Sequence, residues 1–184
     1  MGAKGTETRC QLISATRGLV EKHGYFGTGL NQIIETSGAP RGSLYFHFPG
    51  GKDQLVAEAV AQAGNEIAAL IDAVEPGDTA AAATSLLTAF GDRLEASAWQ
   101  QGCPVATVTL DVSAANDTIQ AECAAAYAGW EEALRIRLQA DGRPDAEDLA
   151  GAILAMIEGG LLLARAQRSR EPLERVARTI RTMI

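Results

Sequence analysis

The chain has 184 residues, 47% hydrophobic and 21% charged, a soluble globular balance that excludes a disordered or low-complexity protein. Its net charge of -7 argues against a polyanionic partner until it is resolved along the chain: +3 over residues 1–52, -14 over 53–164 and +4 over 165–184. An acidic middle between basic ends is compatible with one surface facing nucleic acid. The polar first ten residues predict no secretory leader, and the apolar stretch 149–166 reads as too short and too interrupted, by glycines, Glu158 and Arg165, to span a membrane. Cys10, Cys103 and Cys123 are an odd number without CxxC spacing, so a disulfide framework or zinc site is not expected. They read as buried small side chains in a reducing cytoplasm.

Strand signals are nearly absent and alanine-rich helical spacing recurs, so the expected fold is all-α. A first helix over 6–23 has Leu12, Thr16, Leu19 and His23 on one face and stops at Gly24. Two short helices follow over 30–37 and 41–47, separated by Gly38 and Pro40. A long helix over 52–74 presents Leu55, Ala59, Ala63, Ile67 and Leu70, and Glu75-Pro76 breaks it. Asp78 is the expected N-cap of a helix reaching residue 98. Residues 105–110 (VATVTL) have strand propensity but no pairing partner, so they read as a short buried helix after Pro104.

The next helix starts at Asn116 and carries Ile119, Cys123, Tyr127, Trp130, Leu134 and Leu138; residues 141–144 (DGRP) end it. A strongly apolar helix follows, with Leu149, Ile153, Met156, Ile157, Gly160, Leu161 and Ala164, and a last one covers 171–183 with Leu173, Val176 and Ile180. The expected organisation is a compact three-helix unit over 1–51 joined directly to a five- or six-helix body over 52–184.

The segment 30–48 (LNQIIETSGAPRGSLYFHF) carries the function. A helix-turn-helix needs apolar residues on the inner faces of two short helices and a glycine where the chain bends left-handed. Ile33, Leu44 and Gly38 stand at those places, and Pro40 starts the second helix. Arg41, Gly42, Ser43, Tyr45, Phe46 and His47 are left facing outward, a small, polar and aromatic set that suits a helix entering a major groove. Gly42 allows the backbone to come close to DNA.

Gly24-Tyr25, Thr28, Ile33, Gly38, then Gly42 through Tyr45, His47-Phe48 and Lys52 together resemble the N-terminal signature of the TetR family. The resemblance covers about the first third of the chain. It implies a dimeric repressor that leaves a palindromic double-stranded DNA operator when a small-molecule effector enters its C-terminal domain. It also implies phosphate contacts from Thr28, Tyr45, His47 and Lys52, and places Arg41, Gly42, Ser43 and Phe46 at or near base edges. Gly29 departs from the Ser or Thr cap common in the family, and Phe46 replaces a more polar residue, leaving it apolar contacts such as a thymine methyl. The linker 48–52 (FPGGK), one residue longer than the common version, and residues 102–106 (GCPVA) resemble the subgroup that includes the LmrA and YxaF repressors.

Other chemistry is poorly supported. Gly50-Gly51-Lys52 lacks the phosphate-loop pattern, since Phe46 stands where its first glycine belongs and Asp53 where its Ser or Thr belongs. Both histidines, His23 and His47, lie in the DNA-binding head, and no nucleophile elbow or metal-ligand pair is present, so no catalysis, cofactor or metal is expected. Cys103 reads as a structural thiol rather than a redox sensor. The arginines at 165, 168, 170, 175, 178 and 181 decorate the last two helices, some pairing across a dimer interface.

The apolar seam of a homodimer is expected from Ile153, Ile157, Gly160, Leu161, Ala164, Leu173, Val176 and Ile180 on those two helices. An effector pocket is expected in the body among Leu87, Phe90, Trp99, Cys103, Val108, Tyr127, Trp130 and Met156. Such a lining suits a flat, apolar or aromatic compound, although each residue equally fits plain core packing.

Overall fold

A computed structural model describes residues 3–74, 77–112 and 114–184. Among them the chain forms α1 (Ala3–His23), α2 (Leu30–Ser37), α3 (Arg41–His47), α4 (Gly51–Asp72), α5 (Thr79–Ala96), α6 (Pro104–Val112), α7 (Asp117–Ala140), α8 (Ala146–Gln167) and α9 (Glu171–Met183), with no strand. The fold is all-α, as expected, and the strand-like segment 105–110 is helical. The break expected at Glu75-Pro76 lies outside the described residues.

Local chemistry sets the helix ends. Gly24 takes φ +71 and donates its N–H to Val20 O at 2.9 Å, closing α1. The Asp78 side chain accepts from Ala81 N at 2.7 Å at the start of α5, and Asn116 Oδ1 accepts from Ile119 N at 3.0 Å at the start of α7.

The chain divides into two compact units, residues 1–63 with 104–126, and residues 64–103 with 127–184. In the first, α1 packs on α2, α3 and α6. Leu12, Ile13, Leu19, Ile33, Ala39, Leu44, Phe48, Leu55 and Ala59 form its core. The α1 face differs from expectation at its end: Leu12, Thr16 and Leu19 are buried with Ile13 and Val20, whereas His23, the last helical residue, is exposed.

In the second unit α5, α8 and α9 pack on one another. A β-carbon at Gly160 would lie 3.0 Å from Val176 Cγ2, so this glycine permits the close approach of α8 and α9. Trp130 is buried and donates its indole N–H to Gly64 O at 2.8 Å. Arg143 Nη1 reaches Met183 O at 2.8 Å, and Thr79 N donates to Asp141 Oδ2 at 2.9 Å. By length and composition alone α8 is the one described helix that could cross a membrane, so it is longer and more apolar than its sequence was read to be. One face of it packs within the unit, with Ile153, Ile157, Leu161 and Ala164 buried.

Helix α4 contributes to both units. Its buried residues include Leu55, Val56, Ala59, Val60, Ala63, Ile67 and Ile71, and Leu70, expected inside, is 47% exposed. Past Ile67 the buried line continues at Ile71, four residues on, which leaves Leu70 off it.

Candidate nucleic-acid interface

The helix-turn-helix is built from α2 and α3. Gly38 takes φ +66 with its N–H on Glu35 O, the left-handed position the bend requires. Ser37 completes the turn, its hydroxyl donating to Ile34 O at 3.0 Å and accepting from Ala39 N at 3.2 Å. Pro40, at φ -58, caps α3, and Ser43 N donates to its carbonyl at 2.9 Å. Ile33 and Leu44 are fully buried between the helices. Phe48 locks the end of α3 into the core, with the Arg9 guanidinium 5.3 Å from its ring centre and Arg9 itself paired with Glu58.

With the inner face satisfied, α3 turns a coherent outer face to solvent. Arg41 and Gly42 are exposed, Tyr45 and Phe46 are 61% and 76% exposed, and Ser43 and His47 are half-buried. The Phe46 and His47 rings meet edge to face at 5.0 Å. A β-carbon on Gly42 or Gly29 would touch nothing within 4 Å, so packing inside the chain demands glycine at neither place. Gly29 caps α2 with backbone geometry only, as its lack of a side chain dictates.

Two expected phosphate ligands are differently engaged. Thr28 is buried, and its hydroxyl donates to Gly24 O at 2.8 Å, so that group braces the α1–α2 loop and is turned away from solvent. Lys52 Nζ donates to Tyr25 O at 2.6 Å and sits 3.9 Å from the Tyr25 ring centre. Burial pushes the Lys52 ammonium below its ordinary pKa, with Asp53 pulling the other way.

Around Lys52 lies a polar cluster that sequence reasoning missed. The Tyr25 hydroxyl donates to Asp53, and burial followed by that carboxylate pushes its pKa up to about 12. Asp53 also accepts from Asn116 Nδ2 at 2.8 Å, and Tyr25 N donates to Asp111 Oδ2 at 2.7 Å. Tyr25 belonged to the recognised motif, but nothing local marks Asp111 or Asn116, which lie at the end of α6 and just before α7.

The expected effector residues are only partly brought together. Tyr127 and Trp130 pair edge to face at 5.2 Å. Leu87, Phe90, Cys103, Val108 and Trp130 are buried, while Trp99, Tyr127 and Met156 are half-buried. Val108 belongs to the first compact unit and the other seven to the second. Trp99 stands in a left-handed conformation at φ 64, beside Ala98 at φ 51. The Cys103 thiol bonds to Glu158, whose carboxyl burial raises above the ordinary range against the opposing pull of that bond. Leu87 instead lines a groove between α5 and α9. Of the cysteines, Cys103 and Cys123 are buried as expected, but Cys10 is exposed on α1.

The residues of the expected dimer seam pack inside the single chain. Ile153, Ile157, Gly160, Leu161, Ala164, Leu173 and Ile180 are buried within the single chain, and Val176 is half-buried against Gly160. Helix α8 is apolar on both faces, and its bulkier face turns inward. Its outer face carries Ala152, Ala155, Gly159, Leu162, Leu163 and Ala166, with Leu162 63% and Leu163 52% exposed.

Comparison with known proteins agrees with this geometry. The profile of bacterial regulatory proteins of the tetR family matches residues 12–59, and that of the LmrA/YxaF-like transcriptional regulator C-terminal domain matches 79–179. The HTH-type transcriptional regulator LmrA of Bacillus subtilis is 35% identical over 178 residues, 95% of either chain. The regulator YxaF of the same organism is 30% identical over 188 residues, spanning 100% of this chain and 98% of its own. A crystal structure of a TetR transcriptional regulator from Chloroflexus aurantiacus superposes with a TM-score of 0.84 at 26% identity, covering 98% of this chain and 96% of that one. With a helix-turn-helix whose inner face is closed and whose outer face is free, the chain belongs to the TetR family of DNA-binding transcriptional regulators, in the group with an LmrA/YxaF-like C-terminal domain.

Proposed function

We propose that this regulator is a cytoplasmic repressor that binds a palindromic operator as a homodimer and is released by a small apolar or aromatic effector. The observation that carries the DNA-reading part is the exposed face of α3, where Arg41, Tyr45 and Phe46 stand clear of a turn whose own hydrogen bonds are complete. Arg41, Gly42, Ser43 and Phe46 read base edges, and Tyr45 and His47 hold phosphates. Lys52 joins them by exchanging the Tyr25 carbonyl for a phosphate oxygen. Thr28 contributes by bracing the loop before α2.

TetR-family regulators act as dimers. The outer face of α8 fits a second copy of this chain: Leu162 and Leu163 are large and exposed, and a β-carbon on Gly159 would meet nothing within 4 Å, so another helix can come close. The DNA-binding domain spans 1–51 and the effector and dimerisation domain 52–184. Effector binding favours an arrangement of the dimer that does not match the operator spacing, because only a difference in affinity between two states shifts their populations.

The deciding experiment is a fluorescence-anisotropy titration against DNA flanking the gene, at two salt concentrations. Tight, salt-sensitive binding to one palindromic fragment, relieved by a small molecule, supports the repressor. Activation of transcription from that fragment in a purified system would overturn it in favour of an activator.

A further inference from the structure

The polar cluster beside Lys52 lies within the first compact unit and joins the loop after α1, the first turn of α4 and the α6–α7 region. Asp53, next to Lys52 on α4, has both carboxylate oxygens engaged. Its Oδ1 accepts from the Tyr25 hydroxyl, and its Oδ2 accepts from Asn116 Nδ2 at 2.8 Å, across 63 positions of chain. Asn116 is itself held in place, since its Oδ1 accepts from Ile119 N at 3.0 Å and so caps α7.

One tyrosine holds the two neighbouring charges apart. Lys52 Nζ lies 3.9 Å from the Tyr25 ring centre and donates to the Tyr25 carbonyl at 2.6 Å, while Asp53 sits at the hydroxyl end of the ring. The Tyr25 backbone is anchored in turn by Asp111 Oδ2, which accepts from its N–H at 2.7 Å. The Asp53 charge still reaches Lys52, pulling its pKa upward against burial, yet the two form no ion pair among the described residues. A carboxylate with an unbonded oxygen in reach of an ammonium pairs with it in the free protein. That pair must then break before the lysine can turn to a phosphate.

We propose that Asn116 is a positioning residue for operator binding: by occupying Asp53 Oδ2 it keeps that carboxylate from capturing Lys52, which stays available to a DNA phosphate. Asn116 acts through Asp53 and not on the DNA, and the proposal rests on Lys52 as a phosphate ligand. It assigns the α6–α7 junction a part in the electrostatics of the DNA-binding head, to which residues 104–126 belong as one compact unit.

The test measures the affinity of the full chain for DNA flanking its gene and for a random-sequence duplex, by fluorescence anisotropy at several salt concentrations. Asn116→Ser keeps a hydroxyl that caps α7 but is too short to reach Asp53. It should weaken binding to both DNAs about three- to tenfold, the scale of one exposed ion pair in each subunit. The slope of log affinity against log salt should fall by about one per subunit. Adding Asp53→Asn should restore both quantities, because the amide oxygen still accepts from Tyr25 and carries no charge for Lys52. In a Lys52→Ala background, Asn116→Ser should change nothing further. A parental slope in Asn116→Ser, a loss that Asp53→Asn does not reverse, or a loss that persists without Lys52 would overturn the proposal and leave Asn116 as a helix cap alone. Lys52→Ala by itself separates the two readings. A parental slope in that variant would remove Lys52 from phosphate contact and the proposal with it; a reduced slope there, beside a parental slope in Asn116→Ser, would overturn the role of Asn116 only.

Discussion

Asp111 accepts a hydrogen bond from the backbone N–H of Tyr25 at 2.7 Å, across 86 positions of chain, and its carboxylate fills the space beside Gly24. A β-carbon on Gly24 would lie 2.1 Å from Asp111 Oδ2, and the residue already takes φ +71. The loop that leads into the helix-turn-helix is therefore shaped by a side chain from α6.

Gly24→Ala should cost about 1–3 kcal/mol, from the left-handed backbone and the displaced carboxylate. Asp111→Ala should cost about 1 kcal/mol through the lost hydrogen bond. Because the alanine methyl clashes with that carboxylate, the double variant should be more stable than the two losses combined predict. Urea unfolding of all four proteins measures the coupling; strict additivity would show that the two residues do not share the space.

Lys52 must leave the Tyr25 carbonyl to reach a phosphate. Lys52→Ala should weaken binding to every DNA sequence alike and reduce the slope of log affinity against log salt by about one per subunit. Arg41→Ala should instead flatten the preference between operator and scrambled DNA. Anisotropy titrations at several salt concentrations separate the two effects, and a changed preference in Lys52→Ala would reassign that residue to base reading.

Charges on the outer face of α8 should separate subunits without unfolding them. Leu162→Glu with Leu163→Glu touches side chains that are 63% and 52% exposed, so near-UV circular dichroism should stay unchanged while sedimentation shows a monomer. Ile153→Ala, at a fully buried position, should cost about 2–5 kcal/mol by leaving a cavity. A dimer that survives the double glutamate would place the interface elsewhere.

Glu158 ties stability to pH. Its carboxyl is raised above the ordinary range by burial, so the folded chain holds that proton more tightly than the unfolded one. Its contribution is fully present below the unfolded pKa and is lost as pH rises through the folded value. Glu158→Gln keeps an oxygen for the Cys103 thiol and removes the titration. Urea midpoints should therefore fall less between pH 5 and 8 in the variant than in the parent; identical profiles would mean that the carboxyl is well solvated.

The short helices over 30–37 and 41–47 were legible residue for residue, because Gly38, Pro40, Ile33 and Leu44 encode turn, start and inner face within a few positions of one another. The outward set on α3 followed by subtraction, and the cap at Asp78 by local hydrogen bonding. What depended on partners distant in the chain was not legible. Lys52 is expected at a phosphate, and its ammonium rests on the carbonyl of Tyr25, 27 positions away. The apolar pattern of α8 announced burial on both faces but not which face looks inward, and the inward one proved to hold Ile153, Ile157 and Leu161.

Local periodicity, turn residues and capping groups act over one or two helical turns, so the sequence by itself determined an all-helical chain with a helix-turn-helix near its start. The tertiary structure alone decided which face of each helix is covered and which polar side chain meets which. Those choices rest on packing and hydrogen bonds between residues such as Tyr25 and Asp111, whose closeness in space leaves no trace in their separation along the chain.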